Sequence, residues 1–384
     1  MHRIDMPGHS SNFFALRNPS AGVKATQLGA DWPNDVQEEI CRFVESMGIT
    51  LQKGNRDQLG QAIVLGSGGG VKSARKNLLA NPGPRIWQRG TTFTTSAGGS
   101  LYTADRWRAS AGTSGVVTVT KQAHSNGGPP DPRGGLEFLR WVQSTAGTVP
   151  FLEQRIPCLE EADAQDLVLS VYLRVSTGTL AVIPQLRQFF GSGGSATVDL
   201  AAAAWTVTTT WTRFSVKLTP ASIAGKTIGA GAYLAWQLKF PSAATFTVEM
   251  TSAQLEPGAL ATFFERPDVA ADLAECLRFY CKSYNPDVTP GTVTVDGQIN
   301  CSDIGPLVEA LNTRFPIPMR TTPAVTWYSP RTSNKNGFIE RPQFNDAAVT
   351  GTSYNSEVST GAPATNDPGA VVSAYAHFTA DAEL

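Results

Sequence analysis

The sequence has 384 residues and a formal net charge of −1 at pH 7, and charged residues make up only 16% of it, against ~25% in an average soluble protein. It contains no run of lysine or arginine that could hold a phosphate backbone, so nucleic acid is excluded as an expected partner. The 36 glycines and 25 prolines favour many short strands joined by tight turns and exclude a helical bundle. At roughly 100–200 residues per domain, two or three folded units are expected.

Residues 1–65 are predicted to form an N-terminal arm followed by a helical segment. The first residues lack the apolar core of a signal peptide, and no stretch of ~20 apolar residues predicts a membrane span. Asp31 is the predicted N-cap of a first helix, and Gly48 is its predicted stop. A short second helix is predicted over residues 58–63. The first helix carries a tryptophan and an apolar stripe at helical spacing, namely Trp32, Val36, Ile40, Phe43, Val44 and Met47.

A glycine-rich linker is predicted over residues 66–76, followed by a β-sandwich over residues 77–267. In the sandwich region, apolar residues recur at every second position, which indicates strands with one buried face and therefore two packed sheets. The predicted strands cover residues 167–175, 211–218, 233–240 and 246–250, with further candidates at 116–119 and 136–142.

A connecting helix is predicted within residues 268–284, running from about Asp268, its N-cap, to Tyr280. A small C-terminal β domain is predicted over residues 285–384. Its predicted strands cover residues 292–295, 324–328 and 371–378, and the polar stretch 349–369 is predicted to be a long loop. No internal repeat occurs, so no long shaft is expected. The predicted fold class is therefore mainly β, with an N-terminal helical segment and one connecting helix.

The motifs of common catalytic sites are missing from the sequence. There is no Gly-x-Ser-x-Gly nucleophile elbow and no complete phosphate-binding loop. The four histidines do not stand at metal-ligand spacing, and five cysteines without a repeating spacing argue against a disulfide framework. We therefore expect no enzyme activity, no cofactor and a reducing site of synthesis.

One acidic cluster precedes the predicted strand at Leu167. Closely spaced carboxylates on a loop can hold Ca²⁺, but a solvated turn is the favoured interpretation, and no metal site is expected. The weak calcium candidates are Glu160, Glu161, Asp163 and Asp166.

Aromatic side chains are the remaining candidates for ligand contact, because sugar rings stack on exposed tryptophan and tyrosine. Trp236 is in phase with a buried strand face and is therefore predicted to be core. Trp205 follows an alanine-rich loop and is less constrained to the core than Trp236. We take Trp205, Trp327 and Tyr328 as candidate glycan-stacking residues, although a single tryptophan here is more often core than ligand platform.

Two sets of strings lie at the ends of the sandwich region. An opening set is NLLANP (77–82), IWQRG (86–90) and YTADRW (102–107), and a closing set is AQLEPG (253–258) and ATFFERP (261–267), followed by a helix with CLRFY (276–280). These strings resemble those of tail-fibre and receptor-binding proteins of tailed bacteriophages. Between them the domain resembles a jelly-roll carbohydrate-binding module. The N-terminal segment, with ATQLGADWPN (25–34), and the last residues, 378–384, are also similar to such proteins. These matches cover about two thirds of the chain.

The resemblance implies a virion component, assembled in the host cytoplasm, that attaches to a host surface polysaccharide through its β domains. It further implies a homotrimer that docks on tail, neck or portal-proximal proteins through its N-terminus. The striped helix would then supply docking and trimer contacts, since a threefold bundle would cover its apolar side. Two alternatives stay open: a purely structural neck or head fibre or decoration protein, and a polysaccharide depolymerase with an accessory jelly roll.

Overall fold

The computed structural model describes part of the chain, which divides into two compact units, residues 1–74 and 75–384. The predicted boundaries at 267/268 and 284/285 fall inside the second unit and stay predictions. The described residues are 18–21, 24–26, 30–66, 76–124, 137–160, 163–286, 288–302, 311–332, 338–341, 345–363 and 373–384.

The first unit contains a 3-10 turn, Pro19–Ala21, and two helices, α1 (Asp31–Ser46) and α2 (Gln58–Gly66). The predicted cap is wrong by one residue. Ala30 is the N-cap of α1 and makes no side-chain cap bond, and Asp31 lies inside the first turn, where its charge favours the helix dipole. Gly48 has a φ of +79° and follows the C-cap, as predicted. Among the described residues, no helix combines the length and apolarity needed to cross a bilayer.

The second unit begins with a β-sandwich made of two antiparallel sheets, which confirms the mainly β prediction. One sheet has the order β1-β4-β5-β13-β7-β11, and the other has the order β10-β8-β12-β6-β3-β2 with β9 also paired to β8. In chain order the strands are β1 (Thr92–Thr94), β2 (Ser100–Tyr102), β3 (Trp107–Ser110), β4 (Val116–Ala123), β5 (Glu137–Thr145), β6 (Phe151–Ile156), β7 (Leu167–Val175), β8 (Leu180–Phe189), β9 (Val198–Ala201), β10 (Trp205–Val207), β11 (Thr212–Leu218), β12 (Tyr233–Lys239) and β13 (Phe246–Pro257).

The sandwich core lies between the two sheets and is built by alternate residues of each strand. Leu169 and Leu173 of β7 face Trp107 and Trp236 of the opposite sheet across this core. The two tryptophan rings meet edge to face, with centroids 5.3 Å apart, a favourable aromatic geometry. Full burial of each such side chain stabilises the fold by roughly 1.5–3 kcal/mol.

The predicted strands of the sandwich are confirmed, and β13 is longer than predicted. It runs through a bulge between Thr251 and Gln254 and includes the closing string AQLEPG. Gln254 and Glu256 are buried there. They bind Thr262 through the Gln254 Nε2 and the Glu256 carboxylate. Because these buried residues are polar, the hydrophobic pattern did not predict the second half of the strand.

The connecting helix α3 (Val269–Leu277) starts where the sequence predicts and ends earlier. The Asp268 carboxylate accepts hydrogen bonds from the backbone N–H groups of Ala270 and Ala271, at 2.9 and 3.2 Å. Tyr280 is not helical, contrary to the prediction, because it pairs with Asp381 of the last strand. Pairing of this backbone outweighs continuation of the helix.

The C-terminal part of the second unit is an eight-stranded sheet in the order β14-β21-β18-β19-β20-β16, with β15 and β17 also paired to β21. Its core contains Trp327, Phe315, Met319 and Phe378. Its strands are β14 (Tyr280–Lys282), β15 (Ile299–Ser302), β16 (Leu311–Arg314), β17 (Ala324–Tyr328), β18 (Phe338–Arg341), β19 (Asn345–Tyr354), β20 (Val358–Pro363) and β21 (Ser373–Asp381).

Two predictions in this region are wrong. Residues 292–295 form no strand. The predicted loop 349–369 contains most of β19 and all of β20, while its last residues, 364–369, lie outside the described part. Threonine and valine favour extended backbone without requiring a buried face, and β19 and β20 pair with each other. A sheet can therefore form from a segment that looks too polar for one.

Candidate functional site

The outer face of the seven-stranded sheet carries a row of polar side chains that crosses four strands. Register places Arg108 opposite Glu153, Glu153 opposite Gln237, and Gln237 opposite Gln185. Their strand neighbours Leu152, Trp236 and Leu186 point into the core, so the row points outward. We call this outer surface the polar face; it comprises Tyr102, Arg108, Glu153, Arg155, Gln185, Arg187, Asp199, Tyr233, Gln237 and Lys239.

The centre of the polar face is the Glu153 carboxylate, which is fully buried. One of its oxygens accepts from Arg108 Nη1 and Arg155 Nε, both at 2.8 Å. The other oxygen accepts from Gln237 Nε2 at 2.7 Å, and the side-chain oxygen of Gln237 accepts from Gln185 Nε2 at 2.9 Å. A buried network whose members are bonded in this way holds its side chains in fixed positions.

A second charged group lies at the β9 edge. Arg187 and Asp199 form a two-point pair, with hydrogen bonds of 2.7 and 2.8 Å, and Lys239 Nζ lies 3.9 Å from the same carboxylate. The hydrogen bonds from Arg187 lower the pKa of Asp199, so the group is a carboxylate near neutral pH. The two parallel hydrogen bonds from the planar Arg187 guanidinium also hold the Asp199 carboxylate in one orientation.

Aromatic rings border the charged rows. The Arg155 guanidinium lies 4.5 Å from the Tyr233 ring centroid, within the range of a cation–π contact. Phe189 lies 4.9 Å from the same ring. Burial raises the pKa of Tyr233, so its phenol stays neutral and able to donate. The polar face thus presents fixed, partly exposed guanidinium groups above buried amides, and such groups suit a ligand rich in hydroxyls.

The three predicted stacking aromatics lie elsewhere. Trp205 is half-buried at the start of β10, and its ring stacks on Phe214, with centroids 5.3 Å apart. Trp327 is fully buried against Phe378, so it offers no face to a sugar and the prediction for this residue is wrong. Tyr328 is half-buried, 6.0 Å from Tyr284. Ligand roles for Trp205 and Tyr328 stay predictions.

The acidic cluster binds protein donors. Asp163 accepts from Ser222 Oγ and the backbone N–H of Ile223, at 2.8 and 2.9 Å. Asp166 accepts from Lys217 Nζ at 2.9 Å. Glu160 is exposed and accepts from the Cys158 thiol, while Glu161 lies outside the described residues. Within the described ranges, no group of three or more histidine, cysteine or acidic residues is arranged to hold a metal ion.

The predicted docking stripe on α1 is only partly covered within its own unit. Val44 is buried, whereas Ile40 and Phe43 are exposed. The other members, Trp32, Val36 and Met47, are half-buried. An apolar side chain left in water is a candidate contact for another molecule, and the docking role stays a prediction.

The strings behind the phage-fibre resemblance build a junction between the sandwich, α3 and the C-terminal sheet. The Asn81 side-chain oxygen accepts hydrogen bonds from the backbone N–H groups of Arg85 and Ile86, and the backbone N–H of Asn81 donates to Asp272 of α3. Leu78 N–H donates to Leu255 O at 2.8 Å, which joins the opening string to the closing one. The strings therefore act mainly in this junction, and they share Tyr102 with the polar face.

The junction also contains buried charge. Arg89 lies 3.7 Å from the Tyr280 ring centroid and pairs with Asp381 at 3.1 Å. Arg106 lies over Phe279 and pairs with Glu383. Burial raises the pKa of Asp105 to about 6, against the opposing effect of Arg89. These pairs tie the last residues of the chain to the first strands of the sandwich.

The polar face escaped the sequence predictions because neither β6 nor β8 was predicted as a strand. A signal was present: Glu153 and Arg155 in β6, and Gln185 and Arg187 in β8, are polar residues at every second position. Such alternation marks a solvent-facing strand side, but the register that joins the strands is not encoded in either segment alone.

Comparison with known proteins gives matches that cover only part of the chain. No family model matches the chain. The uncharacterized protein StfP of Escherichia coli K12 is 34% identical over 105 residues, which is 22% of this chain and 50% of that protein, so the chain spans about half of this curated relative.

Similar solved structures have low scores. The enzymatically active domain of bacteriophage CBA120 tailspike protein 4 is 13% identical, covering 47% of this chain and 21% of that one, with a TM-score of 0.30. A CBM22-1 xylan-binding domain from Paenibacillus barcinonensis is 14% identical, with coverage of 44% and 99% and a TM-score of 0.30. A family 11 carbohydrate-binding module from Clostridium thermocellum is 11% identical, with coverage of 44% and 98% and a TM-score of 0.29. At these scores no conclusion about function follows.

Proposed function

We propose that this chain is a non-enzymatic fibre protein of a tailed bacteriophage whose sandwich binds a host-surface glycan on the polar face. The observation that carries the proposal is the set of partly exposed guanidinium groups of Arg108, Arg155 and Arg187, which the carboxylates of Glu153 and Asp199 hold in fixed positions. Sugars present hydroxyls that both donate and accept, and fixed polar groups bind them without first losing side-chain entropy.

Adhesion accounts for this face better than catalysis does. A typical glycosidase places two carboxyl groups about 5–9.5 Å apart on either side of one sugar bond. The polar face has two acids, and both are engaged. Glu153 is buried beneath three donors, and Asp199 is held by Arg187. Neither is free to protonate a leaving group or to attack a sugar.

The virion role is supported by the opening and closing strings, which resemble those of phage fibres and receptor-binding proteins. In this role, residues 1–65 dock on the tail or neck and three copies assemble through α1. A homotrimer presents three polar faces, so weak single contacts combine through effective concentration. A purely structural neck or head fibre would leave the polar face without a ligand.

The test is binding of the full chain to an array of purified bacterial surface polysaccharides. Arg187→Ala removes a guanidinium from the polar face, and Arg314→Ala removes an exposed guanidinium from the C-terminal sheet. We expect the wild type and Arg314→Ala to bind alike and Arg187→Ala to bind roughly tenfold more weakly, as for loss of a charged hydrogen bond. The absence of any binding polymer, or equal binding by all three proteins, contradicts the proposal.

A further inference from the structure

We infer that the polar face selects polysaccharides with anionic substituents over neutral ones; this inference rests on the proposed glycan-binding role. It follows from the number and accessibility of the charges on that face. Anionic substituents here means sugar carboxylates or phosphates, both of which guanidinium and ammonium groups bind.

Each acid of the polar face is shared by two cations. Glu153 pairs with Arg108 and Arg155, each at 2.8 Å. Asp199 pairs with Arg187 at 2.7 Å and is approached by Lys239 at 3.9 Å. One carboxylate neutralises one cation, so the Asp199 group leaves one positive charge over. At the Glu153 group, Arg155 Nη1 also donates to Leu384 O at 2.7 Å.

At the Glu153 group the cations are also more accessible than the acid. The Glu153 side chain is 1% exposed, whereas those of Arg108 and Arg155 are 20% and 17% exposed. At the other group, Asp199 is 36% exposed, and Arg187 and Lys239 are 28% and 23% exposed. A ligand lying across the strands therefore meets guanidinium and ammonium groups together with the Asp199 carboxylate, while the carboxylate of Glu153 lies beneath its cations.

No other group of the polar face cancels this charge. Gln185 and Gln237 are neutral amides, and burial raises the pKa of Tyr233 and raises that of Tyr102 to about 12. The neighbouring junction acids Asp381 and Glu383 pair with Arg89 and Arg106.

The net charge of the whole chain is −1. General attraction to polyanions is therefore not expected, and a preference for acidic polymers has to come from the polar face.

The experiment uses the full chain and an array in which each acidic bacterial polysaccharide stands beside its carboxyl-reduced and its dephosphorylated form. We expect binding to the native polymer and at least tenfold weaker binding to the form that lacks its anion. The treated form that loses binding identifies carboxylate or phosphate as the source. Equal binding to native and treated forms overturns the preference and leaves glycan binding standing, while absence of binding to every polymer overturns both proposals.

Variants assign the preference to the polar face. Lys239→Gln removes one positive charge from the polar face and leaves the Arg187–Asp199 pair intact. Lys239→Arg keeps that charge. Arg314→Gln is the matched control, because it removes one positive charge from the C-terminal sheet. We expect Lys239→Gln to weaken binding to the acidic polymer roughly two- to fivefold, as for one exposed charge contact. Lys239→Arg keeps the charge and should lose less binding than Lys239→Gln, whereas Arg314→Gln should bind like the wild type. Equal weakening by Lys239→Gln and Arg314→Gln contradicts a role of the polar face.

Discussion

Glu153 shows how a buried acid can organise an exposed surface. Its carboxylate is inaccessible to ligand, yet it fixes the positions of Arg108, Arg155 and Gln237. Such a group stabilises the fold only while its partners are present, because its desolvation is offset by their charge and hydrogen bonds. Binding and stability therefore depend on the same residue.

The first prediction concerns that acid. Glu153→Gln removes the charge that two guanidiniums share, and we expect the free energy of unfolding to fall by about 3 kcal/mol, as for breaking a buried ion pair. Asp199→Asn removes a carboxylate that is more exposed, so its cost should be below about 1 kcal/mol. Urea unfolding of the two variants measures both. An equal cost would contradict the anchoring role of Glu153.

The second prediction concerns Asp105 in the junction. Burial raises its pKa from the ordinary 3.8 to about 6, and the nearby Arg89 opposes this rise. The folded state therefore holds the proton more tightly than the unfolded state. Protonation of Asp105 therefore adds to the free energy of unfolding. This contribution is fully present below pH 3.8, the pKa in the unfolded chain, and is lost as the pH rises through 6, the pKa in the folded state. At about 1.36 kcal/mol per pKa unit, the loss is on the order of 3 kcal/mol.

Asp105→Asn removes this titration and leaves the other groups in place. Unfolding free energies of wild type and variant are compared between pH 4 and pH 7, where their difference isolates Asp105. We expect the wild type to lose stability relative to the variant across this range. A difference that stays constant with pH would show that Asp105 keeps an ordinary pKa.

At the scale of elements, the local sequence pattern predicts helices and apolar strands well. The β7 strand lies at its predicted residues because its apolar side chains alternate without interruption. The β6 and β8 strands were not predicted, since Gln154 and Pro184 are buried on the side that faces the core. Gln154 is tolerated there because it bonds the N–H and the carbonyl of Ala80, a contact that no local pattern indicates.

The third prediction is at this scale and concerns the start of α3. Asp268→Ala removes the acceptor for two helix N–H groups, and we expect the free energy of unfolding to fall by about 1 kcal/mol. Asp268→Asn keeps a side-chain oxygen and should lose only a few tenths of that, because asparagine is a comparable N-cap. Thermal unfolding compares the two. Equal losses would mean that charge, and not capping, is the contribution of Asp268.

At the scale of the whole molecule, the two proposed binding surfaces belong to different units. The polar face belongs to the second unit, and the exposed stripe residues Ile40 and Phe43 belong to the first. Within the second unit, the junction joins the sandwich to the C-terminal sheet through Arg89 and Arg106. The geometry of the polar face therefore depends on neighbouring elements at the β2 and β3 end of its sheet, where Tyr102 and Arg155 both donate to the backbone of Leu384.

The fourth prediction concerns assembly. If three copies of α1 pack through the stripe, Phe43→Asp places a charge in that core and should convert a trimer into monomers. Asn34→Asp adds the same charge at an exposed position on the other side of α1 and should stay trimeric. Sedimentation equilibrium of both variants measures the mass. A monomeric wild type, or a trimeric Phe43→Asp variant, would contradict assembly through α1.

The sequence by itself determined the β class, the helices of the first unit, the cap at Asp268 and most sandwich strands, because these depend on neighbours a few residues apart. Only the tertiary structure decided that Trp327 is core and that the polar face exists. Arg108 and Gln237 lie 45 and 84 residues from Glu153 along the chain. Their meeting depends on strand register, which is set by packing both sheets at once and cannot be derived from one strand's pattern.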